Sequence, residues 1–114
     1  KNVWRFTAPA KTEKTLGKHP TQKPIALIER CLLASTSAGE TVLDPFAGSG
    51  TTGVAAINTN RLFLGCEIDL RHARLGAKRI NGAIDSLQQN NSAASTDKPA
   101  ASRRTQTPRK QPSA

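Results

Sequence analysis

The feature that most constrains this chain is a glycine-rich segment, DPFAGSGTT at residues 44–52, which lies between a short apolar run and a helical pattern. The run TVL at residues 41–43 is typical of a buried strand, and GVAAI at residues 53–57 is typical of a helix. Glycines let the backbone take positive φ angles and let a ligand approach without a Cβ in the way. A strand that passes through such a turn into a helix predicts a ligand-binding loop in an α/β fold.

Helices and strands are predicted to alternate around this turn. Residues 24–37 have the apolar spacing of a helix that begins at Pro24, and Gly39 is placed to end it. Residues 62–66 form a continuous apolar run, which is typical of a strand covered on both faces, and Asp69 is a good N-cap for a third helix. This order predicts parallel strands joined by helical crossovers.

The composition changes along the chain. Residues 1–23 are polar and basic, and VWRFT at residues 3–7 fits a short strand. Residues 24–85 carry the predicted α/β region. From residue 86 onward Gln, Asn, Ser, Thr, Ala and Pro dominate, and such a segment cannot bury enough apolar surface to offset the entropy of ordering it. We therefore predict a disordered basic tail at residues 86–114.

Charge and cysteine content limit the partners and the compartment. The formal net charge of +9 favours a polyanionic partner, with nucleic acid ahead of an anionic membrane. Cys31 and Cys66 lie in apolar stretches without metal-ligand spacing, so we expect two reduced, buried thiols and no metal site. The sequence has neither a signal peptide pattern nor an apolar run near the ~18 residues that a membrane span needs. These observations predict a cytoplasmic protein without a membrane partner.

Two acidic residues, Asp44 and Glu67, end the two predicted strands, where a parallel sheet forms its ligand crevice. Glu67 follows Gly48 by 19 residues, close to the roughly 20-residue offset at which an acidic side chain takes ribose hydroxyls. Asp44 would repel a pyrophosphate but attract the amino group of a methionine moiety. A nucleoside-type ligand is therefore predicted, with its ribose at Glu67 and its tail at the glycine turn.

Three other interpretations of the turn compete with this one. A phosphate-binding P-loop needs a Lys after the last glycine, and here Gly50 is followed by Thr51. The segment GSGTTG at residues 48–53 formally fits the spacing of an NAD-type site. In a purely structural alternative, Asp44 only caps backbone N–H groups of an ordinary turn.

The segment at residues 44–52 closely resembles the S-adenosylmethionine motif of DNA methyltransferases that act on exocyclic amino groups. GKHPTQKP at residues 17–24 resembles the second cofactor motif of these enzymes, and FLGCEID at residues 63–69 is similar to their ribose-binding strand. The order of the three segments resembles the permuted class, in which the catalytic half and the target-recognition region come first. The resemblance covers about residues 15 to 80. It implies part of a Rossmann-like, S-adenosylmethionine-dependent methyltransferase sheet.

The resemblance also implies which residues hold S-adenosyl-L-methionine. Residues of the glycine turn would surround its methionine end, Glu67 would hold the ribose, and the two residues after Glu67 would border the adenine. A segment before the first helix would close the pocket from the side. The implied cofactor-binding residues are Thr21, Gln22, Lys23, Asp44, Phe46, Gly48, Gly50, Thr51, Glu67, Ile68 and Asp69.

The catalytic motif of the family, a tetrapeptide of the type DPPY, does not occur in the 114 residues. We therefore assign no catalytic residue here and expect that motif in an upstream part of the same protein, with residues 1–23 as the end of the target-recognition region and the start of the cofactor loop. The resemblance implies methyl transfer to adenine N6 in double-stranded DNA, in a restriction–modification setting. An N4-cytosine enzyme and a non-catalytic remnant that binds cofactor or DNA are the alternatives.

Overall fold

The computed structural model describes residues 3–14 and 22–95, and within them a single β–α–β unit extended by a helix at each end. Two parallel strands pair in the register Thr41 to Leu62 and Asp44 to Gly65, which confirms the predicted α/β class and the parallel pairing. A short 3-10 helix precedes the first α-helix. The elements in chain order are the 3-10 helix Lys11–Lys14, α1 Ile25–Ser35, β1 Thr41–Asp44, α2 Thr51–Asn58, β2 Leu62–Gly65 and α3 Leu70–Ser95.

Helix α1 is shorter than its apolar spacing suggested. Pro24 has extended backbone angles and is the N-cap rather than the first helical residue. The helix ends at Ser35 because Thr36 turns to an extended conformation and its Oγ1 donates to the Leu32 carbonyl at 2.6 Å. Gly39, with a φ of 84°, lies beyond the helix in the turn before β1, where its N–H donates to the Asn60 carbonyl at 2.8 Å. The predicted role of Gly39 as the helix-ending glycine was wrong.

The core lies between one face of the sheet and the helices α1 and α2. Leu32, Val42, Ala55 and Ala56 are its buried members, and Phe63 packs against them. Ala55 and Ala56 are fully buried, so the small side chains of α2 let the neighbouring elements approach closely. Helix α2 contacts both α1 and α3, and it therefore holds the unit together.

Residues 3–14 and 22–95 leave the opposite face of the sheet exposed. Leu43, Leu62 and Leu64 alternate with the core-facing Val42 and Phe63, and each of the three leucines is about 60% exposed (62%, 61% and 59%). The prediction that the strands are covered on both faces is therefore wrong for these residues.

The amino end of the sheet is closed by Arg61, a buried residue directly before β2. Its Nε donates to Thr36 Oγ1 at 3.1 Å and its Nη2 to the Thr36 carbonyl at 2.7 Å. Its Nη1 donates to the Thr59 carbonyl. One guanidinium thus ties the end of α1 to the end of α2.

Helix α3 extends beyond the boundary predicted for the disordered tail. Residues 86–95 belong to the helix, and Ser86 Oγ and Ser92 Oγ donate to the Gly82 and Gln88 carbonyls one turn earlier. The described side chains of this end are exposed, so composition correctly indicated that it has no core. Each residue added to an existing helix gains one local hydrogen bond, so α3 continues past its packed part, and the predicted start of the tail at residue 86 was wrong. Residues 96–114 lie outside the described residues.

Two smaller predictions also need correction. Residues 3–7 form no strand. The guanidinium of Arg30 on α1 lies over the Trp4 ring, with its carbon 5.3 Å from the ring centre. Cys31 and Cys66 are free thiols, as expected, but both are exposed rather than buried. Within the described ranges no helix combines the length and the apolar character that crossing a membrane requires.

Candidate cofactor-binding site

The turn between β1 and α2 lies at the carboxyl end of the sheet and is shaped by two glycines. Gly48 and Gly50 have φ angles of 55° and 78°, a region that side chains with a Cβ rarely adopt. The Gly50 N–H closes the turn on the Ala47 carbonyl at 2.8 Å, and the Ala47 N–H donates to the Cys66 carbonyl beyond β2 at 2.8 Å. The turn is therefore bonded to both strands, and Gly50 is the N-cap of α2.

Asp44 is both the last residue of β1 and the first residue of the glycine-rich segment, and its carboxylate holds the turn through hydrogen bonds. Its Oδ1 accepts the Phe46 N–H at 3.0 Å and its Oδ2 accepts the Thr52 hydroxyl at 2.6 Å. Part of the structural alternative is therefore observed, because the carboxylate does cap the turn. A carboxylate has about four acceptor positions, and the described residues use two of those of Asp44. Sequence reasoning missed Thr52, whose hydroxyl eight residues further on fixes the carboxylate.

Glu67 joins β2 to the same turn from the other side. Its Oε1 accepts the Asp69 N–H at 2.9 Å and its Oε2 accepts the Gly48 N–H at 2.8 Å. These N–H groups, that of Asp69 first and that of Gly48 second, hold the pKa of the Glu67 carboxyl below its usual value. The 19-residue offset read from the sequence is thus a direct contact between the acid and the glycine turn.

Asp69 acts as the N-cap of α3, as predicted. Its Oδ1 accepts the N–H groups of Arg71 at 2.8 Å and of His72 at 3.3 Å, and its Oδ2 pairs with the Arg71 guanidinium at 3.0 Å. The Arg71 side chain and these N–H groups lower the pKa of the Asp69 carboxyl. Asp69 does not line the cavity beside Glu67, whereas Ile68 does.

Two cavities adjoin the turn beside Asp44 and beside Glu67, and a third, of about 180 Å³, lies between the turn and α3. The cavity beside Asp44 has a volume of about 200 Å³, and its lining includes Gln22, Lys23, Asp44, Ser49, Thr51 and Thr52. The cavity beside Glu67 has a volume of about 340 Å³ and is lined by Pro45, Phe46, Cys66, Glu67 and Ile68. The structure therefore brings Gln22, Lys23, Asp44 and Thr51 to the first cavity and Glu67 and Ile68 to the second. Phe46 lines both cavities and Gly48 lines the first, whereas Gly50 lines the cavity between the turn and α3; Thr21 lies outside the described residues.

The side chain of Gln22 carries an incompletely satisfied amide. Gln22 is 9% exposed, and its Nε2 donates to the Glu13 carbonyl at 2.9 Å. Its Oε1 is buried without a hydrogen-bond partner among the described residues. A buried acceptor without a partner costs free energy, and this residue lines the cavity beside Asp44.

A family model described as DNA methylase, of the N6/N4 amino-group type, matches residues 1–78. The type II methyltransferase M2.DpnII of Streptococcus pneumoniae is 49% identical over 80 residues, which are 70% of this chain and 30% of that protein. M2.MboI of Moraxella bovis is 47% identical over 81 residues (71% and 30%). The DNA adenine methyltransferase YhdJ of Escherichia coli K12 is 46% identical over 82 residues (72% and 28%).

Solved structures agree with these relatives. The M1.HpyAVI–SAM complex aligns with a TM-score of 0.62 at 45% identity, over 67% of this chain and 36% of that one. A putative DNA modification methylase of Thermus thermophilus, TTHA0409, complexed with S-adenosyl-L-methionine, aligns with a TM-score of 0.52 at 40% identity, over 59% and 27%. This chain spans about 30% of the length of the curated relatives it matches. The match over residues 1–78 and the identities to these relatives place the chain in the family of amino-group (N6-adenine and N4-cytosine) DNA methyltransferases.

Proposed function

We propose that this chain binds S-adenosyl-L-methionine at the carboxyl end of β1 and β2 and is the cofactor-binding part of a cytoplasmic enzyme that methylates adenine N6 in double-stranded DNA. One observation carries the proposal. The carboxylates of Asp44 and Glu67 hold the same glycine turn from opposite sides, and each faces a cavity. A ligand with a cationic amino group at one end and ribose hydroxyls at the other matches two such carboxylates.

The methionine end of the cofactor fits the cavity beside Asp44. The described residues use two of the acceptor positions of the Asp44 carboxylate, which leaves others for an ammonium group, and the Gln22 side chain lines the same cavity. The exposed Lys23 lines the same cavity and supplies a positive charge for the carboxylate of the ligand. This set of groups has the charge pattern of an amino acid, which a pyrophosphate does not match.

The adenosine end fits the cavity beside Glu67. Ribose hydroxyls donate hydrogen bonds, and the Glu67 carboxylate is held ionised by two backbone N–H groups that also fix its direction. Phe46 and Ile68, two highly exposed apolar side chains (88% and 102%), line this cavity. Apolar side chains of this kind are suitable neighbours for the faces of an adenine ring.

When bound, the cofactor supplies an electrophilic methyl group for direct transfer to the amino nitrogen of the base. The residues of this chain bind and orient that donor, while the base must leave the duplex stack to expose its amino group. The catalytic tetrapeptide is absent from the 114 residues, so we place it in another part of the same protein. The open sheet face formed by Leu43, Leu62 and Leu64 is a suitable surface for that part to cover.

Calorimetry of the chain with S-adenosylmethionine and with NAD tests the cofactor. We expect binding of the former and none of the latter at equal concentrations. Asp44→Ala should weaken S-adenosylmethionine binding by about tenfold or more, because hydrogen bonds to a charged group are lost. Glu40→Ala, at the amino end of β1, is the matched control and should bind as the unsubstituted chain does. Binding of NAD in preference would contradict the proposal.

Mass spectrometry of the nucleosides from treated DNA tests the reaction. The chain alone should transfer no methyl group to DNA, whereas the chain joined to an upstream region that encodes a DPPY-type tetrapeptide should produce N6-methyladenine. The adenine-specific relative YhdJ supports this expectation. N4-methylcytosine as the product would favour the cytosine alternative, and no product from the joined protein would favour the non-catalytic remnant.

A further inference from the structure

The backbone of helix α3 packs directly against the backbone of the glycine turn. A Cβ built on Gly50 would lie 2.8 Å from the Cα of Gly76, closer than atoms that are not bonded can come. A Cβ built on Gly76 would in turn lie 3.3 Å from the Gly50 backbone nitrogen. The turn therefore rests directly on α3, and the two glycines make this contact possible.

Arg79 lies on the same face of α3, one turn after Gly76. Its Nη1 donates to the Ser49 carbonyl at 2.7 Å and lies 3.0 Å from Ser49 Oγ and 3.1 Å from Thr51 Oγ1. A carbonyl fixed by a charged donor fixes the plane of its peptide group, here the peptide that joins Ser49 to Gly50. The residue thus determines the shape of the turn where α2 begins.

The surroundings of Arg79 exclude a role as an ordinary surface cation. The residue is 9% exposed, and burial lowers the pKa of its guanidinium, a shift that the negative charge of Glu13 opposes. Its Nη2 is buried without a hydrogen-bond partner among residues 3–14 and 22–95. A buried charge that is only partly satisfied is costly to stability, so stability alone explains this position poorly.

Arg79 acts on the cavity through other residues. It does not line the 200 Å³ cavity, but its two partners, Ser49 and Thr51, do. Arg79 and Glu13 line a separate cavity of about 350 Å³, to which the 3-10 helix and α3 both contribute. The Glu13 carboxylate accepts the Ile25 N–H at 3.1 Å, and the Glu13 carbonyl accepts the Gln22 amide.

We propose that Arg79 is a positioning residue, which fixes the Ser49–Thr51 backbone in the shape that receives the methionine end of the cofactor. This inference rests on the proposed function, because it assigns the cavity beside Asp44 to that end of S-adenosylmethionine. Arg79 lines neither the cavity beside Asp44 nor the cavity beside Glu67 and Ile68. Its removal should therefore affect the methionine end of the site and leave the adenosine end, which Glu67 and Ile68 form, intact.

Two probes separate positioning from general stability: S-adenosylmethionine, and adenosine, which lacks the methionine end. Arg79→Met, which keeps an apolar stem without donors, should weaken S-adenosylmethionine binding by about tenfold or more and change adenosine binding by less than about twofold. Arg79→Lys keeps the charge but reaches fewer acceptors, so its loss should be intermediate. Lys78→Met removes a charge from an exposed neighbouring position and is the matched control, with unchanged affinity for both probes. Calorimetry well below the unfolding midpoint of each variant gives the dissociation constants.

The outcomes distinguish the two proposals. If the unsubstituted chain binds neither probe, the proposed function fails and this inference fails with it. If the unsubstituted chain binds both probes and Arg79→Met loses them equally, or loses neither, Arg79 is only structural and this inference alone is overturned. Should Arg79→Met not fold, Arg79→Lys carries the test, and an unchanged ratio of the two affinities in that variant overturns the proposal.

Discussion

A buried arginine lies at each end of the β–α–β unit, and the two arginines have different roles. Arg61 at the amino end and Arg79 at the carboxyl end are both buried (8% and 9% exposed). Each donates to a backbone carbonyl and to a hydroxyl oxygen. Arg61 uses all three of its nitrogens on Thr36 and Thr59. Arg79 uses only Nη1 and leaves Nη2 buried without a partner among the described residues.

The difference between these arginines shows how a structural bond is distinguished from one that serves a site. Arg61 joins two helix ends and lines neither of the cavities beside the glycine turn. Arg79 bonds to residues that line one of them. A buried guanidinium whose nitrogens all donate hydrogen bonds is best explained by its contribution to stability. A buried guanidinium with an unpaired nitrogen lowers stability, so its position calls for a second role. Variants at the two ends should therefore separate the contribution to stability from the contribution to ligand affinity.

The largest effect is expected from Gly50→Ala, compared with Gly39→Ala at the opposite end. Both glycines have positive φ angles (78° and 84°), so alanine costs about 1–2 kcal/mol at either position. At Gly50 the added Cβ also meets the Gly76 backbone at 2.8 Å, whereas at Gly39 no non-adjacent atom of the described part of the chain lies within 4 Å. Because the backbone must shift at Gly50, the total loss there should reach about 3 kcal/mol or more. Urea unfolding measures both free energies, and equal losses would contradict the close contact with α3.

The next effect is expected from Arg61→Met. The variant leaves the Thr36 and Thr59 carbonyls without their charged donor, so the free energy of unfolding should fall by about 2–4 kcal/mol. The dissociation constant for S-adenosylmethionine, measured below the unfolding midpoint, should stay within about twofold. The comparison with Arg79→Met is the decisive one, because the two variants should differ in affinity although both lose stability. A large loss of affinity in Arg61→Met would mean that the two ends are not independent.

A smaller effect concerns acid pH and Glu67. Its pKa in the folded chain is lowered by the N–H groups of Asp69 and Gly48, so the ionised carboxylate stabilises the fold above its ordinary pKa of 4.5. This contribution is lost as the pH falls below 4.5 and passes through the lower folded pKa. Glu67→Gln should therefore flatten the pH dependence of the urea midpoint in this window. The unsubstituted chain is the reference for this comparison, and an unchanged pH dependence in Glu67→Gln would contradict the assignment to Glu67.

The sequence predicted those features that depend on local or short-period rules. The N-cap at Asp69 and the pairing of β1 with β2 follow from capping chemistry and from alternating elements, and both are observed. The offset between Gly48 and Glu67 correctly placed the acid at the turn. All of these signals depend on near neighbours or on a recurring supersecondary unit.

Features that depend on contacts between elements could not be predicted in this way. Arg79 looked like one more basic residue around α3, because helical spacing shows which residues share a face but not which partner meets it. The hydroxyl of Thr52 is an equally hidden partner of Asp44. The exposure of Leu43 depends on what covers the sheet, and the pattern of a strand carries no information about its cover.

The last prediction changes no residue and uses the two cysteines, which sequence reasoning placed inside the fold. Both are exposed thiols, but Cys66 lines the cavity beside Glu67, whereas Cys31 lies on α1 and lines neither cavity of the candidate site. If S-adenosylmethionine occupies that cavity, it should slow alkylation of Cys66 by about tenfold at a concentration about ten times its dissociation constant, because only the free form reacts. Cys31 in the same sample is the internal control, and peptide mass spectrometry follows both rates. Equal protection of the two thiols would indicate a change of the whole fold, and no protection of Cys66 would place the ligand away from Glu67.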